Sequence, residues 1–163
     1  MFTVCEMIEL TVHLQGGAGP LGKFMASATS CRAPILACCS YCDRSGTVVR
    51  LVTEDAKKTA QALAAEGISC TRDSVVLIQA ESSPTAAARM GTLLALTNIP
   101  VLYSYSSWNE EYFGAVVFKT ADDARAARLL QTQAGGAASH MPDSRDHNKK
   151  QCGVTRGLQA QAA

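Results

Sequence analysis

The 163-residue sequence contains no run near the roughly 18 consecutive apolar residues that a membrane-crossing helix requires. Its first residues, Met1-Phe2-Thr3-Val4-Cys5-Glu6, lack the basic flank and apolar block of a signal peptide, so a cytoplasmic location is the expectation. Histidine is scarce: His13 falls at a polar position, and His140 and His147 sit near the C-terminus. No Ser/His/Asp or Cys/His arrangement can be drawn from these, which argues against an enzyme and gives no reason to expect a cofactor. Strong charge of one sign is also lacking, since the formal net charge is +1. Residues 136–163 hold Arg145, Lys149, Lys150 and Arg156 against Asp143 and Asp146, so the remainder is slightly acidic and has no global attraction for nucleic acid. The seven cysteines form an odd set without a disulfide framework; reduced thiols, several buried as small hydrophobes, are expected.

What the sequence does have is an internal repeat. Pro34-Ile35-Leu36-Ala37-Cys38-Cys39-Ser40-Tyr41 returns 66 positions later as Pro100-Val101-Leu102-Tyr103-Ser104-Tyr105. At the same offset Leu10, Val12 and Leu14 pair with Val76, Ile78 and Ala80. Further on, an offset of 68 matches Gly46-Thr47-Val48-Val49 with Gly114-Ala115-Val116-Val117, Glu54-Asp55-Ala56 with Asp122-Asp123-Ala124, and Gly67 with Gly135. A fixed period with one two-residue insertion in a hairpin loop is the mark of a duplicated supersecondary unit.

Within the first copy, Ile8 to Leu14 alternates apolar and polar residues, which predicts a strand with its odd-numbered face solvated. Gly16-Gly17-Ala18-Gly19-Pro20 breaks it, and Leu21, Phe24, Met25 and Ala28 form a helical stripe closed off by Pro34. Ile35–Tyr41 and Thr47–Val52 read as a strand pair across the turn 42–46. Thr53-Glu54-Asp55 opens a second helix, Thr53 as a capping hydroxyl followed by two acids, with Ala56, Ala60 and Leu63 facing inward and Gly67 as a left-handed stop. Ile68–Thr71 is a short fourth strand. The second copy repeats this order from Val75: Pro84 starts a helix with Ala87, Met90, Gly91 and Leu94 on one stripe. Strands follow at 101–106 and 113–119, and a capping-box-like Thr120-Ala121-Asp122-Asp123 precedes Ala124, Ala127 and Leu130. No fourth strand follows Gly135, which predicts a bare sheet edge relieved by self-association into a homodimer. Residues 136–163 carry too few large hydrophobes to offset ordering entropy, and a low-order tail is expected.

Three local patterns read as structural. Cys39-Ser40-Tyr41-Cys42 is a CxxC, but in a strand its cysteines point to opposite faces and no second pair completes a metal site, so no metal is expected. Phe113-Gly114-Ala115-Val116-Val117-Phe118 partly imitates an RNA-recognition strand, yet lacks the leading basic residue and has Ala115 where a stacking aromatic belongs; Val116 and Phe118 are core candidates. Tyr103, Tyr105 and Trp108 gather near one strand end, as packing or a hairpin cap rather than a ligand wall.

The doubled β-α-β-β-α-β order, the turn between strand one and helix one, and the hydrophobic-Pro-hydrophobic lead into strand two resemble a tandem pair of ACT domains, small-molecule-sensing modules that regulate amino-acid metabolism. The resemblance covers roughly residues 7–135. It implies an α+β protein of two ferredoxin-like βαββαβ units, 7–73 and 74–135, with antiparallel sheets and helices on one side, followed by the 136–163 tail. It also implies an amino-acid effector bound near the strand-one/helix-one turns at a domain or dimer interface. The family's turn commonly reads Asp-x-Pro-Gly-x-Leu. Here the first unit keeps Gly19 and Leu21 without the acid, and the second has Ser82-Ser83-Pro84-Thr85 with the proline but threonine in place of glycine. Where the family often places Ile-Asn or Ile-Asp before strand two, Pro34 and Pro100 stand, with Asn98 just upstream of Pro100. Backbone N–H groups at a glycine turn before a helix suit a carboxylate. The implied ligand set is Gly17, Gly19, Pro20 and Leu21 in the first turn with Ser82, Ser83, Thr85 and Asn98 in the second copy. The reading is a non-catalytic regulatory module, homodimeric, without nucleic-acid or membrane partners; the alternative is a structural or protein-interaction module without a small-molecule ligand.

Overall fold

The chain is described by a computed structural model that defines residues 2–15, 18–44, 46–81, 84–108 and 113–133. Ten elements follow in order: β1 (Phe2–Leu14), α1 (Ala18–Ser30), β2 (Ile35–Asp43), β3 (Gly46–Thr53), α2 (Ala56–Ala65), β4 (Thr71–Glu81), α3 (Pro84–Leu96), β5 (Val101–Trp108), β6 (Phe113–Thr120) and α4 (Asp123–Gln133). They form one antiparallel six-stranded sheet in the order β2-β3-β1-β4-β6-β5, the expected α+β architecture.

The two halves share their central strands. β4 is one continuous strand, so the expected short strand 68–71 does not exist separately: Thr71 opens β4, and the 73/74 boundary falls inside it. β1 likewise extends back to Phe2, and its residues Phe2–Ile8 pair with Ser74–Ala80. That pairing fills the place where a fourth strand of the second half was missing. The bare edge predicted from sequence is therefore covered within the chain, and it gives no reason for self-association.

Equivalent features recur in β2 and β5, but the later offset of the repeat is corrected. Register shifts occur at Ile35/Ala37 and at Val101/Tyr103, 66 residues apart. Leu10 pairs with Leu51 and Val76 with Phe118; Val12 pairs with Val49 and Ile78 with Val116. The offset from β3 to β6 is thus 67, not 68, and the matched Gly-x-Val-Val strings are one residue out of phase. In a strand such a slip exchanges the two faces. The string similarity arose because both strands are dense in valine.

Capping follows the same offset. The Asp55 carboxylate accepts from the Lys58 N–H at 2.9 Å, and that of Asp122 from the Arg125 N–H at 2.9 Å. Asp55, rather than Thr53, is the N-cap; Thr53 ends β3, its hydroxyl 3.0 Å from that of Thr59. Thr120 keeps the reciprocal arm, since its N–H and hydroxyl both donate to Asp123 at 2.8 Å. Gly67 has the expected positive φ of 74°. Ile68 N–H closes back on Leu63 C=O, as Ile99 N–H does on Leu94 C=O.

The four helices pack on one face of the sheet. Phe24, Ala28, Ala60 and Leu63 meet Leu10, Val12, Val49 and Leu51. Met90, Leu94, Ala127 and Leu130 meet Val4, Val76, Ile78, Val116 and Phe118. The alternation predicts a solvated opposite face, and at His13 it is; Glu9 and Thr11 are buried instead. There Ala37, Val52, Val75, Leu77, Ala115 and Val117 form a third core, with Met7, Leu36 and Tyr105 against it. The reason is curvature. In a flat sheet β2 and β5 would lie five spacings apart, roughly 24 Å; here the Cys38 N–H donates to the Ser107 hydroxyl at 3.3 Å. The sheet curls until its outer strands touch, enclosing its helix-free face.

Sharing β1 and β4 makes the halves one cooperative unit. Leu63→Ala and Leu130→Ala, each deleting a side chain buried to 0% exposure, are expected to cost about 2–5 kcal/mol apiece. In denaturant titrations both should lower the midpoint of one common transition; a second transition separable from the first would contradict the shared-strand architecture.

Candidate functional site

Curling brings together side chains from strands far apart in the sheet order. Glu9 stands on β1, Arg50 on β3, Tyr41 on β2, and Tyr103 and Tyr105 on β5. The Arg50 Nη1 donates to Glu9 Oε1 at 2.8 Å, to the Tyr103 hydroxyl at 2.6 Å and to the Thr11 hydroxyl at 3.3 Å. Tyr103 donates to Glu9 Oε1 at 2.5 Å and Tyr105 to Oε2 at 2.8 Å, while the Thr11 hydroxyl reaches Oε1 at 3.4 Å. The outer edge of Arg50 faces β2: Nε and Nη2 both donate to the Tyr41 hydroxyl, at 3.3 and 3.2 Å. The guanidinium carbon also lies 4.0 Å from the centre of the Tyr103 ring, a cation–π contact.

The electrostatics follow from burial. Burial opposes the charge on Arg50, but hydrogen bonds to Tyr41 and Glu9 outweigh it and push its pKa up. Burial, then the hydrogen bond and charge of Glu9, hold the Tyr103 phenol neutral far above the usual tyrosine range; burial, then the same carboxylate, do so for Tyr105. The Cys38 thiol is pushed up to about 11 by burial and by Cys39, and Cys39 is raised by burial and by Glu9. These cysteines are inert thiols at neutral pH, not nucleophiles. The described residues include no group of three or more His, Cys, Asp or Glu that could hold a metal ion.

Beside this network lies a half-open cavity of about 230 Å³, lined by Cys39, Tyr41, Arg50, Tyr103, Ser104 and Tyr105. The repeat does not reproduce it. At the equivalent positions Glu9 becomes Val75, Thr11 becomes Leu77 and Arg50 becomes Val117, while Tyr103 and Tyr105 become Ala37 and Cys39. One end of the enclosed face is therefore polar and the other apolar. Of the two tyrosines read as packing, Tyr105 packs against the third core, but the hydroxyls of both serve the network. Glu9 and Arg50 were missed: the alternation assigned Glu9 to a solvated face. The available signal was a lone cation in the otherwise apolar Val48–Val52 run, on a strand that could pair with the one carrying Glu9.

The turn residues implied by resemblance are placed as follows. Gly19 and Pro20 lie in the first turn of α1, Gly19 exposed and Pro20 half-buried, while Leu21 packs partly buried against the helix-side core. Thr85 lies at the start of α3; Gly17, Ser82 and Ser83 lie outside the described residues. Asn98 has φ of 56° and ends α3 as a left-handed stop, with Arg32 (φ 55°) at the equivalent place after α1. Because β1 and β4 are antiparallel, Leu14, which leads toward α1, and Glu81, which leads toward α3, lie at opposite ends of the sheet, roughly 40 Å apart. Asn98 stands at the far end of α3 from Thr85, about 20 Å away.

Solved structures share this arrangement. Protein BT0572 of Bacteroides thetaiotaomicron superimposes with a TM-score of 0.64 at 18% identity, over 80% of this chain and 89% of that one. The ligand-free regulatory subunit of aspartate kinase from Thermus thermophilus does so with a TM-score of 0.55 at 12% identity, over 83% of this chain and 97% of the subunit. This chain has the ACT-type fold. E. coli aspartokinase III, solved with lysine and aspartate, matches with a TM-score of 0.50 at 12% identity, over 83% of this chain but 33% of the enzyme. No family model matches the chain, and no curated protein matches it significantly. None of the described helices is long and apolar enough to cross a membrane.

The buried network gives the ACT-type fold a defined alkaline response. Tyr103 and Tyr105 titrate higher in the folded than in the unfolded state, so above pH ~10 the unfolded chain loses protons first and is favoured. The contribution of these groups to stability is expected to be fully present below pH ~9 and to be lost as pH rises, with Cys38 contributing between 9.0 and about 11. Tyr105→Phe should cost about 1–3 kcal/mol at neutral pH, by leaving Glu9 Oε2 unsatisfied, and should flatten the decline above pH ~10. Denaturant midpoints across pH check both; an unchanged slope would contradict the burial of Tyr105 against Glu9.

Proposed function

We propose that this chain is a non-catalytic regulatory module that binds a small amino-acid effector, and that the effector carboxylate docks on the first turn of α1. The observation that carries this reading is the ACT-type fold, shared across four fifths of the chain with aspartate kinase regulatory subunits. The fold also occurs in E. coli aspartokinase III, whose structure is a complex with lysine and aspartate. In this chain Gly17, Gly19, Pro20 and Leu21 would supply the backbone turn, with N–H groups at a helix start favouring an anion. Because Thr85 stands at the start of α3 and Asn98 at its far end, across the sheet from α1, the second-copy set of Ser82, Ser83, Thr85 and Asn98 would serve a separate effector site. A homodimer could place either turn at an interface.

A second reading, an interaction module with no small-molecule ligand, draws on one observation. Leu96, Val101 and Leu102, leading into the outer strand β5, are 79%, 40% and 61% exposed, an apolar stretch suited to a protein contact.

A thermal-shift series against the standard amino acids separates the two. Under the first reading one or a few amino acids raise the melting temperature saturably, by about 2.7 kcal/mol of added stability at a hundredfold excess over Kd. Gly19→Asp is well tolerated sterically, since an added Cβ meets nothing within 4 Å. Its negative charge should stabilise the free helix slightly, by about 0.3–1 kcal/mol, while abolishing the ligand response. A wild-type protein unmoved by every amino acid would contradict the regulatory reading; a response that survives Gly19→Asp would contradict the α1 site.

A further inference from the structure

The cavity beside Glu9 and Arg50 invites its own ligand, independent of the effector turn. We propose that it is a binding site for a small apolar monocarboxylate, aromatic or branched, that lacks an α-ammonium group. The carboxylate would take the Nε/Nη2 edge of Arg50 in place of the Tyr41 hydroxyl.

Three features select that chemistry. The first is the unspent edge of the guanidinium. Nη1 is anchored by Glu9, Tyr103 and Thr11, so the head group is fixed in position. Nε and Nη2 form the parallel fork that matches a carboxylate, yet both point at one phenol oxygen, at 3.3 and 3.2 Å. Charge-assisted bonds to a carboxylate are shorter, about 2.7–2.9 Å, and there would be two of them. Tyr41 is 44% exposed on the outer strand β2, so its hydroxyl can exchange its bonds to Arg50 for bonds to water when a carboxylate takes its place.

The second is that no carboxylate is among the residues described as lining the cavity; Asp73, whose charge reaches Tyr103, lies 3.8 Å from the Lys119 ammonium. Glu9 is the carboxylate behind the cavity, but it is fully buried and its oxygens already receive bonds from Arg50, Tyr103, Thr11 and Tyr105. These four bonds also spread the Glu9 charge, which limits its repulsion of an incoming anion across the guanidinium. Ser104 and the phenols offer an ammonium only neutral oxygens. An α-amino acid would therefore pay desolvation of its ammonium without a carboxylate in the cavity wall to meet it.

The third is size and surface. The cavity of about 230 Å³ lies below the roughly 300–1,000 Å³ of drug-sized pockets. Tyrosine rings and the neutral Cys39 thiol form much of its wall, suited to a ring or a branched chain.

Isothermal titration with 3-phenylpropanoate, L-phenylalanine and 2-phenylethylamine tests the site. These probes share a phenyl group and differ in the carboxylate and the ammonium. Wild type is expected to bind 3-phenylpropanoate saturably, at least about tenfold tighter than L-phenylalanine, because of the unmatched ammonium, and not to bind the amine. Tyr41→Phe removes the competing phenol oxygen and should tighten 3-phenylpropanoate by roughly two- to tenfold. Cys39→Phe fills the cavity without deleting a hydrogen bond of the network and should abolish the binding. No saturable heat with wild type, equal affinity for L-phenylalanine, unchanged or weaker binding in Tyr41→Phe, or retention in Cys39→Phe would each overturn the proposal. The effector turn fails separately: its amino-acid response depends on Gly19→Asp and is untouched by Cys39→Phe.

Discussion

A fully buried carboxylate on a central strand governs the shape of this molecule. Glu9 is 0% exposed, and a charge so placed is tolerated only when its oxygens are paired. The partners come from both directions across the sheet. Arg50 lies on the neighbouring strand β3, whereas Tyr103 and Tyr105 lie on β5, three positions away in the sheet order. Flat, β1 and β5 would be roughly 14 Å apart. The carboxylate can be satisfied in this way only if the sheet curls, and the curl in turn encloses the apolar face formed by Ala37, Val52, Val75, Leu77, Ala115 and Val117. Hydrophobic burial supplies the general drive toward closure; the Glu9 network sets how the closed edges meet.

The two halves correspond in their frame but not in the site. The halves repeat their helices, register shifts, caps and helix stops, and they interlock because β1 and β4 each run through both. The polar network then breaks the symmetry, since its equivalents in the other half are Val75, Leu77 and Val117. A module of this kind has two similar ends joined by a rigid sheet, and one laterally placed polar seam where the outer strands meet. Occupancy of a site at that seam would bear directly on how tightly the sheet is closed.

Much of this was legible in the sequence because local patterning and tertiary structure agree. Phe24, Ala28, Ala60, Leu63, Met90, Leu94, Ala127 and Leu130 sit on helical stripes and are buried as the spacing required. The misreadings have physical causes. The fourth strand of the first half and the first strand of the second fused into β4, because no glycine or proline separates Thr71 from Val75 and both stretches accept extended backbone. The second half found its missing strand at the other end of the chain, in Phe2–Ile8, a pairing invisible to a local pattern. The offset in β6 slipped by one because valines at consecutive positions leave the register unmarked. Glu9 looked solvated because alternation reports which residues share a face, not whether the sheet closes over that face.

Closure of the outer strands is the claim on which the network, the cavity and the enclosed core all rest. It is tested most directly by nuclear Overhauser contacts between β2 and β5 in solution, above all between the Cys38 amide and the Ser107 side chain, 3.3 Å apart as donor and acceptor, and between the Ala37 methyl and the Tyr105 ring, neighbours in the third core. The account predicts cross-peaks at both places together with slow amide exchange along the enclosed face. Their absence, with β2 and β5 behaving as two open edges, would contradict it.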